Sequence, residues 1–174
     1  MINSTLQREF FTPGYNLFVI LDGTAAPELF SKIHSDAPEH VCLYRELPPE
    51  FDETTPPYLV RLEHGNRFTQ WLLSQGWGKN WGIFARIRDE IDLKQVRKHF
   101  RSFLMVEYPD GKSEYFRYYD PRVMRDYLPT CDAAETSVIF GPVTAYFVEG
   151  AQENIALRYT VKRGLPYGET VRLD

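Results

Sequence analysis

The chain has 174 residues, of which 43% are hydrophobic and 25% are charged, and this composition is typical of a globular protein rather than a disordered one. The length fits one domain that buries a core without needing disulfide bonds or a metal to fold. A formal net charge of −4 argues against nucleic acid as the principal partner, although a local basic face is compatible with it.

The N-terminal part of the chain predicts strands and one helix. Residues 1–14 contain no long apolar run of the kind found in a signal peptide or a membrane span, so we expect a cytoplasmic protein. A strand is predicted over 15–23, where β-branched and aromatic residues end in an Asp-Gly turn signal. A helix is predicted over 26–35, and two more strands over 40–46 and 58–63.

The central part of the chain predicts two helices around a strand. Asn66 is a suitable N-cap for a helix that ends at Gly76, because asparagine accepts from free N–H groups and glycine adopts a left-handed conformation. A strand is predicted over 82–87. The second helix begins at Asp89 or Asp92, and its apolar side chains recur at the helical period.

A hairpin and two short helices are predicted next. Strands over 103–108 and 113–120 flank a tight turn at 109–111. Both faces of the second strand carry aromatic side chains, so we expect it to be covered on both sides or to lie under a partner. The helices are predicted over 121–128 and 132–139.

The C-terminal part predicts strands over 144–150 and 155–162, followed by a loosely held tail over 163–174. Antiparallel hairpins mixed with helices indicate an α+β fold with a mixed or antiparallel sheet. We expect one compact domain, and a division into two lobes near 76–82 is left open. The chain is divided into an N-terminal segment (1–14), a domain over 15–149, and a final strand with a C-terminal tail (150–174).

The sequence YFRYYDPRVMRDYLP combines tyrosines with arginines and aspartates. Asp120 followed by Pro121 is a strong helix-start signature, because the carboxylate accepts from free N–H groups and proline has none to satisfy. Arg117 lies among tyrosines and needs a carboxylate partner, because an unpaired buried charge is costly. Asp22 and Glu107 are equally suitable partners. The stretch therefore indicates architecture more than a direct functional role.

The usual catalytic and metal-binding motifs do not occur in the sequence. Its four histidines lack the spacing of metal ligands, and it contains neither a serine nucleophile elbow nor a phosphate-binding loop. We therefore expect no metal and no cofactor. Cys42 and Cys131 belong to no CxxC motif, and we expect both to be reduced thiols.

Two functions other than protein binding stay open from the residues alone. A small hydrolase using Asp120 with Arg117 would need a deep pocket and a shifted carboxylate pKa. A nucleic-acid-binding domain would use the basic stretch 86–101, RIRDEIDLKQVRKHFR, to contact phosphates. A solvated helix face accounts for the same basic residues.

Several motifs occur in a fixed order along the chain. The most specific are WGIF (81–84), FRYYDPRV (116–123) and FGPV (140–143). With the segments between them, over residues 15–149, the chain resembles the family of bacterial type VI secretion effector chaperones, also called adaptors.

This resemblance implies a non-enzymatic protein that binds a toxic effector in the cytoplasm and helps to load it onto the spike (VgrG-type) protein of the secretion apparatus. The implied partners are the effector and the spike protein, with no nucleic acid and no membrane. The family's motif residues, which we expect to fix the fold, are Asp22, Arg61, Trp71, Trp81, Gly82, Phe84, Arg117, Asp120, Pro121, Arg122, Phe140, Gly141 and Pro142.

Partner contact is expected from exposed aromatic and arginine side chains. Tyr, Trp and Arg contribute most of the binding energy in many protein interfaces. On this basis we predict contacts from Tyr44, Arg45, Trp77 and Tyr118.

Overall fold

An antiparallel sheet lies at the centre of the molecule, for which the computed structural model describes residues 2–173. The strands are β1 (Tyr15–Asp22), β2 (His40–Cys42), β3 (Pro57–Leu62), β4 (Gly82–Arg88), β5 (Met105–Glu107), β6 (Ser113–Tyr115), β7 (Val143–Glu149), β8 (Ile155–Lys162) and β9 (Leu165–Arg172). Seven of them form the central sheet in the order β2-β3-β1-β4-β7-β8-β9, with every neighbouring pair antiparallel. β5 and β6 form a separate hairpin.

Helices cover both faces of this sheet, and the predicted α+β fold is confirmed. The helices are α1 (Ile2–Phe10), α2 (Leu29–Asp36), α3 (Arg67–Trp71), α4 (Leu93–Arg101), α5 (Pro121–Tyr127) and α6 (Ala133–Phe140). A π-helical turn continues α3 over Leu72–Gly76, and a 3₁₀ turn follows α5 over Leu128–Thr130. One face of the sheet packs against α1, α2 and α3; the other packs against α4, α5 and α6.

The central strand β1 shows how one segment serves both layers. Leu17, Val19 and Leu21 belong to the core under α1–α3, whereas Phe18 and Ile20 belong to the core under α4–α6. All five side chains are buried. A strand that is covered on both faces needs apolar residues at consecutive positions, which explains the uninterrupted apolar run in the sequence.

The predicted helix-start residues act as N-caps. Asn66 and Asp120 each accept a hydrogen bond from the backbone N–H two residues later. Asp92 and Asp132 each form a capping box with the residue three positions later. These caps depend only on neighbouring residues, which is why the sequence predicts them correctly.

The expected loosely held tail is wrong, because β9 pairs with β8 from Leu165 to Arg172. Arg163 and Gly164 connect the two strands, and both have positive φ angles, 54° and 78°, as a tight hairpin turn requires. In a hairpin with a two-residue turn, the pair next to the closing pair is not hydrogen-bonded, so the nitrogen of Pro166 faces away from β8. A proline at this position therefore does not interrupt the β8–β9 ladder.

The N-terminal segment contains a helix that the sequence does not predict. Leu6 and Phe10 of α1 are fully buried, one turn apart, in the core beneath α1–α3. Phe10 packs against Phe84 and Phe147, with ring centroids 4.7 and 4.9 Å away. The sequence of α1 offers only one apolar residue per turn, at positions 2, 6 and 10, so packing on the sheet stabilises this short helix more than its own pattern does.

The predicted strand over 113–120 is too long. Only Ser113–Tyr115 pairs with β5, and the chain then turns so that the N–H of Asp120 donates to the carbonyl of Arg117. Tyr118 and Tyr119 in this turn enter the core instead of alternating between two strand faces.

The loop near 76–82 does not divide the molecule into two lobes. β1 precedes this loop and β4 follows it, yet they pair from Tyr15 to Leu21 within one sheet. The predicted strand over 40–46 is shorter than expected, because only His40–Cys42 pairs with β3.

Candidate protein-binding surface

Tyr118 is a core residue, so the prediction that it is an exposed contact residue is wrong. The side chain is 0% exposed, and its hydroxyl donates to the carbonyl oxygen of Phe100 at 2.9 Å. Its ring packs edge-on against Phe103 and Tyr119. Burial raises the pKa of the Tyr118 phenol well above its ordinary value. This tyrosine supports the base of the β5–β6 hairpin and does not face a partner.

Arg117 forms an ion pair with Asp22, one of the two partners expected from the sequence. Asp22 ends β1 and is buried, with 3% exposure, and it also accepts a hydrogen bond from the N–H of Thr24 at 2.9 Å. The Arg117 side chain is about half exposed. The pair fastens the segment after β6 to the end of the central strand.

Arg117→Ala is expected to lower the free energy of unfolding by about 2 kcal/mol. Removing one partner leaves the buried Asp22 carboxylate without its countercharge, and the half-exposed position of the arginine reduces the loss below that of a fully buried pair. Urea unfolding at neutral pH measures the change. Arg122→Ala is the control, because that side chain is 65% exposed and water screens its charge, so we expect a smaller loss. Equal losses in the two variants would contradict this assignment.

Asp120, Pro121 and Arg122 build the start of α5. The Asp120 carboxylate accepts from the Arg122 backbone N–H at 2.9 Å and pairs with the Arg122 guanidinium at 2.8 Å. Burial acts to raise the pKa of Asp120, but the hydrogen bonds and charge of Arg122 outweigh it and lower the pKa. The carboxylate is thus engaged as a helix cap, and nothing in this geometry favours its use as a hydrolytic base.

The remaining motif residues occupy packing positions. Arg61 donates to Glu39 at 3.2 Å and to Asn16 at 3.0 Å. Phe140 is buried at the end of α6, and Gly141 after it has a φ of 48° with the His99 ring 2.6 Å from where a Cβ would be. Trp71, Trp81 and Phe84 make aromatic contacts in or beside the core under α1–α3, Gly82 begins β4 opposite Leu21, and Pro142 lies in the turn before β7.

Trp77 lies apart from the other predicted contact residues. Its ring is half-buried against Phe10 and Phe84 on the α1–α3 face, and its indole N–H donates to the carbonyl of Glu153 at 2.8 Å. Tyr44 packs against the core on the opposite face of the sheet. The structure therefore does not bring Trp77 together with Tyr44 and Arg45.

Tyr44 and Arg45 line a groove of about 300 Å³, which we call the hairpin groove. The Tyr44 ring stacks on the Tyr115 ring of β6, with centroids 4.7 Å apart. The groove is lined by Leu43, Tyr44, Arg45, Glu46, Arg101, Leu104, Met105 and Tyr115. One wall is thus the segment after β2, and the other is the β5–β6 hairpin.

Arg101 fixes the position of the segment after β2, which forms one wall of the hairpin groove. Its guanidinium donates to the carbonyl oxygens of Leu43 and Cys42, both at 2.9 Å. Arg101 ends α4, which packs on the central sheet. The segment that carries Tyr44 and Arg45 is therefore fixed to a helix rather than left as an unsupported loop.

The β5–β6 hairpin exposes four large apolar side chains, which together we call the hairpin surface. Met105, Val106, Tyr108 and Tyr115 are 44%, 39%, 46% and 39% exposed. Met105 and Tyr115 are cross-strand neighbours on the face that lines the hairpin groove, whereas Val106 and Tyr108 lie on the other face with Glu114. Exposed apolar side chains that lie together mark interaction sites, whereas those scattered singly are ordinary. No sequence motif marks these residues as partner contacts, although the aromatic side chains on both faces of the second predicted strand are compatible with its lying under a partner.

No metal-binding cluster is found among residues 2–173: no group of three or more His, Cys, Asp or Glu side chains is placed to hold an ion. Cys42 and Cys131 are free thiols, the first half-buried and the second buried. Within the same residues, no helix combines the length and the hydropathy needed to cross a bilayer.

Comparison with protein families identifies the class to which this chain belongs. Residues 17–137 match the model of the family described as a domain of unknown function, DUF4123, and the chain is a member of that family. No curated protein and no solved structure matches the chain. The matched region includes the hairpin groove and the hairpin surface.

Proposed function

We propose that this protein is a non-enzymatic adaptor that binds a secreted effector through the hairpin surface and helps to load it onto the spike protein of a bacterial type VI secretion system. The observation that carries the proposal is the hairpin itself. Met105 and Tyr115 are exposed as cross-strand neighbours on the side of the hairpin groove, whose opposite wall is held by Arg101, and Val106 and Tyr108 are exposed on the other face of the hairpin. The resemblance of the ordered sequence motifs to secretion adaptors supplies the identity of the partners.

The composition of the surface supports protein binding. Tyr44 and Tyr115 combine an apolar ring with a polar hydroxyl, and the exposed Arg45 lines the same groove. Aromatic residues and arginine are enriched among the residues that contribute most to interface affinity. Full burial of a large apolar side chain contributes about 1.5–3 kcal/mol, and these side chains have less than half of their surface left to bury. Because association also costs translational and rotational freedom, they act as anchors within a larger interface.

The proposal is tested with the double variant Met105→Ser/Tyr115→Ser. We expect its affinity for the effector encoded beside this gene to fall at least about 30-fold, which corresponds to roughly 2 kcal/mol. Isothermal titration calorimetry measures the affinity, and circular dichroism with thermal unfolding shows that the variant is folded.

Val138→Ser/Val161→Ser is the matched control. Val138 and Val161 are 59% and 44% exposed on α6 and β8, away from the hairpin, and we expect the control to bind like the wild-type protein. Unchanged binding by the hairpin variant, or an equal loss in the control, would contradict the proposed surface.

A further inference from the structure

One face of α4 carries an uninterrupted stripe of positive charge. Its members recur at positions i, i+3, i+4 and i+7, which lie on one side of a helix. They are Lys94, Arg97, Lys98 and Arg101. The opposite side of α4 holds Val96 and Phe100, which are fully buried in the core. Packing of α4 thus turns the basic side outward.

A fifth cation reaches the same place from a different element. Arg45, in the segment after β2, lines a groove of about 520 Å³ together with the α4 stripe, and we call it the cationic groove. Asp92 and Gln95 are its other lining residues. The Asp92 carboxylate accepts from the Gln95 N–H at 2.8 Å as the helix cap. One acidic side chain, already engaged, therefore faces five basic ones.

These five cations are not neutralised within the part of the chain that the structure describes. None of them forms an ion pair among residues 2–173. Burial, and then the charges of Arg97 and Arg45, lowers the pKa of Arg101. Like charges in one groove repel each other. This concentration of positive charge contrasts with the chain as a whole, which has 24 acidic residues and a net charge of −4. The groove is thus electrostatically complementary to an anionic ligand.

The cationic groove continues into the hairpin groove, because Arg45 and Arg101 line both. A ligand that fills the two together needs negative charge at one end and apolar or aromatic side chains at the other. A peptide segment has both properties. A nucleic acid backbone is charged along its whole length, and the exposed Glu46 in the hairpin groove would repel it.

We infer that the cationic groove binds an acidic segment of the protein partner, with its carboxylates along α4 and a neighbouring apolar side chain in the hairpin groove. This inference rests on the proposed function, and it adds the chemistry of the bound segment. Charged contacts of this kind accelerate association and select partners.

The test uses the double variant Arg45→Glu/Lys98→Glu, which reverses two exposed charges that hold no ion pair. Arg8→Glu/Arg172→Glu is the matched control, with the same change in net charge on exposed residues of α1 and β9. The probes are the effector encoded beside the gene, a labelled peptide with a run of glutamates before a Leu-Tyr pair, the glutamine version of that peptide, and a short DNA duplex. Fluorescence anisotropy measures each affinity.

We expect the groove variant to bind the effector and the glutamate peptide at least tenfold more weakly than the wild-type protein, and the control to bind them normally. Wild-type affinity for the glutamate peptide should fall between about 50 mM and 200 mM salt, and the glutamine peptide should bind more weakly than the glutamate peptide at low salt.

Three results would overturn the inference. If the effector binds the groove variant normally while Met105→Ser/Tyr115→Ser abolishes binding, the acidic segment is wrong and the proposed function stands. If neither double variant changes effector binding, both proposals are wrong. If the DNA duplex binds more tightly than the glutamate peptide and loses affinity steeply with salt, the groove is a nucleic-acid site.

Discussion

Gly82→Ala is expected to lower the free energy of unfolding by roughly 3 kcal/mol or more, a large part of the stability of an ordinary domain. Gly82 begins β4 and lies opposite Leu21 of β1. A Cβ atom there would lie 2.1 Å from the carbonyl oxygen of Ile20, a backbone atom in the middle of the buried sheet. The methyl group therefore forces the two central strands apart.

Urea unfolding of Gly82→Ala and Gly111→Ala separates this contact from the general effect of replacing glycine. Gly111 lies in the turn between β5 and β6 with a φ of 81°, and a Cβ there meets no atom within 4 Å. Its replacement costs only the strain of a left-handed conformation, about 1 kcal/mol. Comparable losses in the two variants would show that close strand approach is not what requires glycine at position 82.

In the wild-type protein, the Glu149 carboxyl is expected to lower the free energy of unfolding by about 3 kcal/mol as the pH rises from about 5 to about 8. Glu149→Gln is expected to abolish this pH dependence. Glu149 ends β7, is buried, and accepts from the N–H of Asn80 at 3.0 Å. Burial raises the pKa of Glu149 from 4.5 to about 7, and the N–H groups of Asn80 and Gly78 and the charge of Arg125 compensate only in part.

The sign follows from where the proton is held. Between the two pKa values the folded protein keeps a proton on Glu149 that the unfolded chain has released, so folding is favoured by acid. The contribution is fully present below pH 4.5 and is lost as the pH rises through about 7. Glutamine keeps a carbonyl acceptor for the Asn80 N–H and has no proton to lose in this range.

The measurement is the difference in unfolding free energy between wild type and Glu149→Gln at each pH. This difference removes the contribution of His99, which has the opposite sign. Burial lowers the pKa of His99 from 6.5 to about 4, and stability from this group is lost as the pH falls through that value. A constant difference from about pH 5 to pH 8 would contradict the role given to Glu149.

Local rules predict the helix starts in this fold, and they fail where tertiary packing decides. Asp120 with Pro121 marks the start of α5 because a cap uses only the next few residues. Arg117 and Asp22 are far apart in the sequence. The cost of an unpaired buried charge nevertheless predicts a carboxylate partner for Arg117, and Asp22 is one of the two partners that the sequence offers. Alternation predicted Tyr118 on a strand face, because the sequence does not show that pairing ends at Tyr115.

The candidate surface was only half predictable. Residue type alone predicts Tyr44 and Arg45 as contact residues, and the structure places both in the hairpin groove. The sequence predicts a strand over 103–108 but does not show that Met105 and Val106 are exposed, since the exposure of a hairpin depends on whether another layer covers it. The sequence shows the basic residues of α4, but it does not show that Arg45 lies beside them, because that proximity depends on packing between distant segments.

Both edge strands of the central sheet are poorly suited to pairing with a strand from another molecule. At one border β2 has three residues, too few to template a long partner strand. At the other, the nitrogen of Pro166 points outward from β9 and has no hydrogen to donate to an incoming chain. Polymerisation of identical molecules through these edge strands is thereby discouraged in a protein that displays apolar side chains elsewhere on its surface.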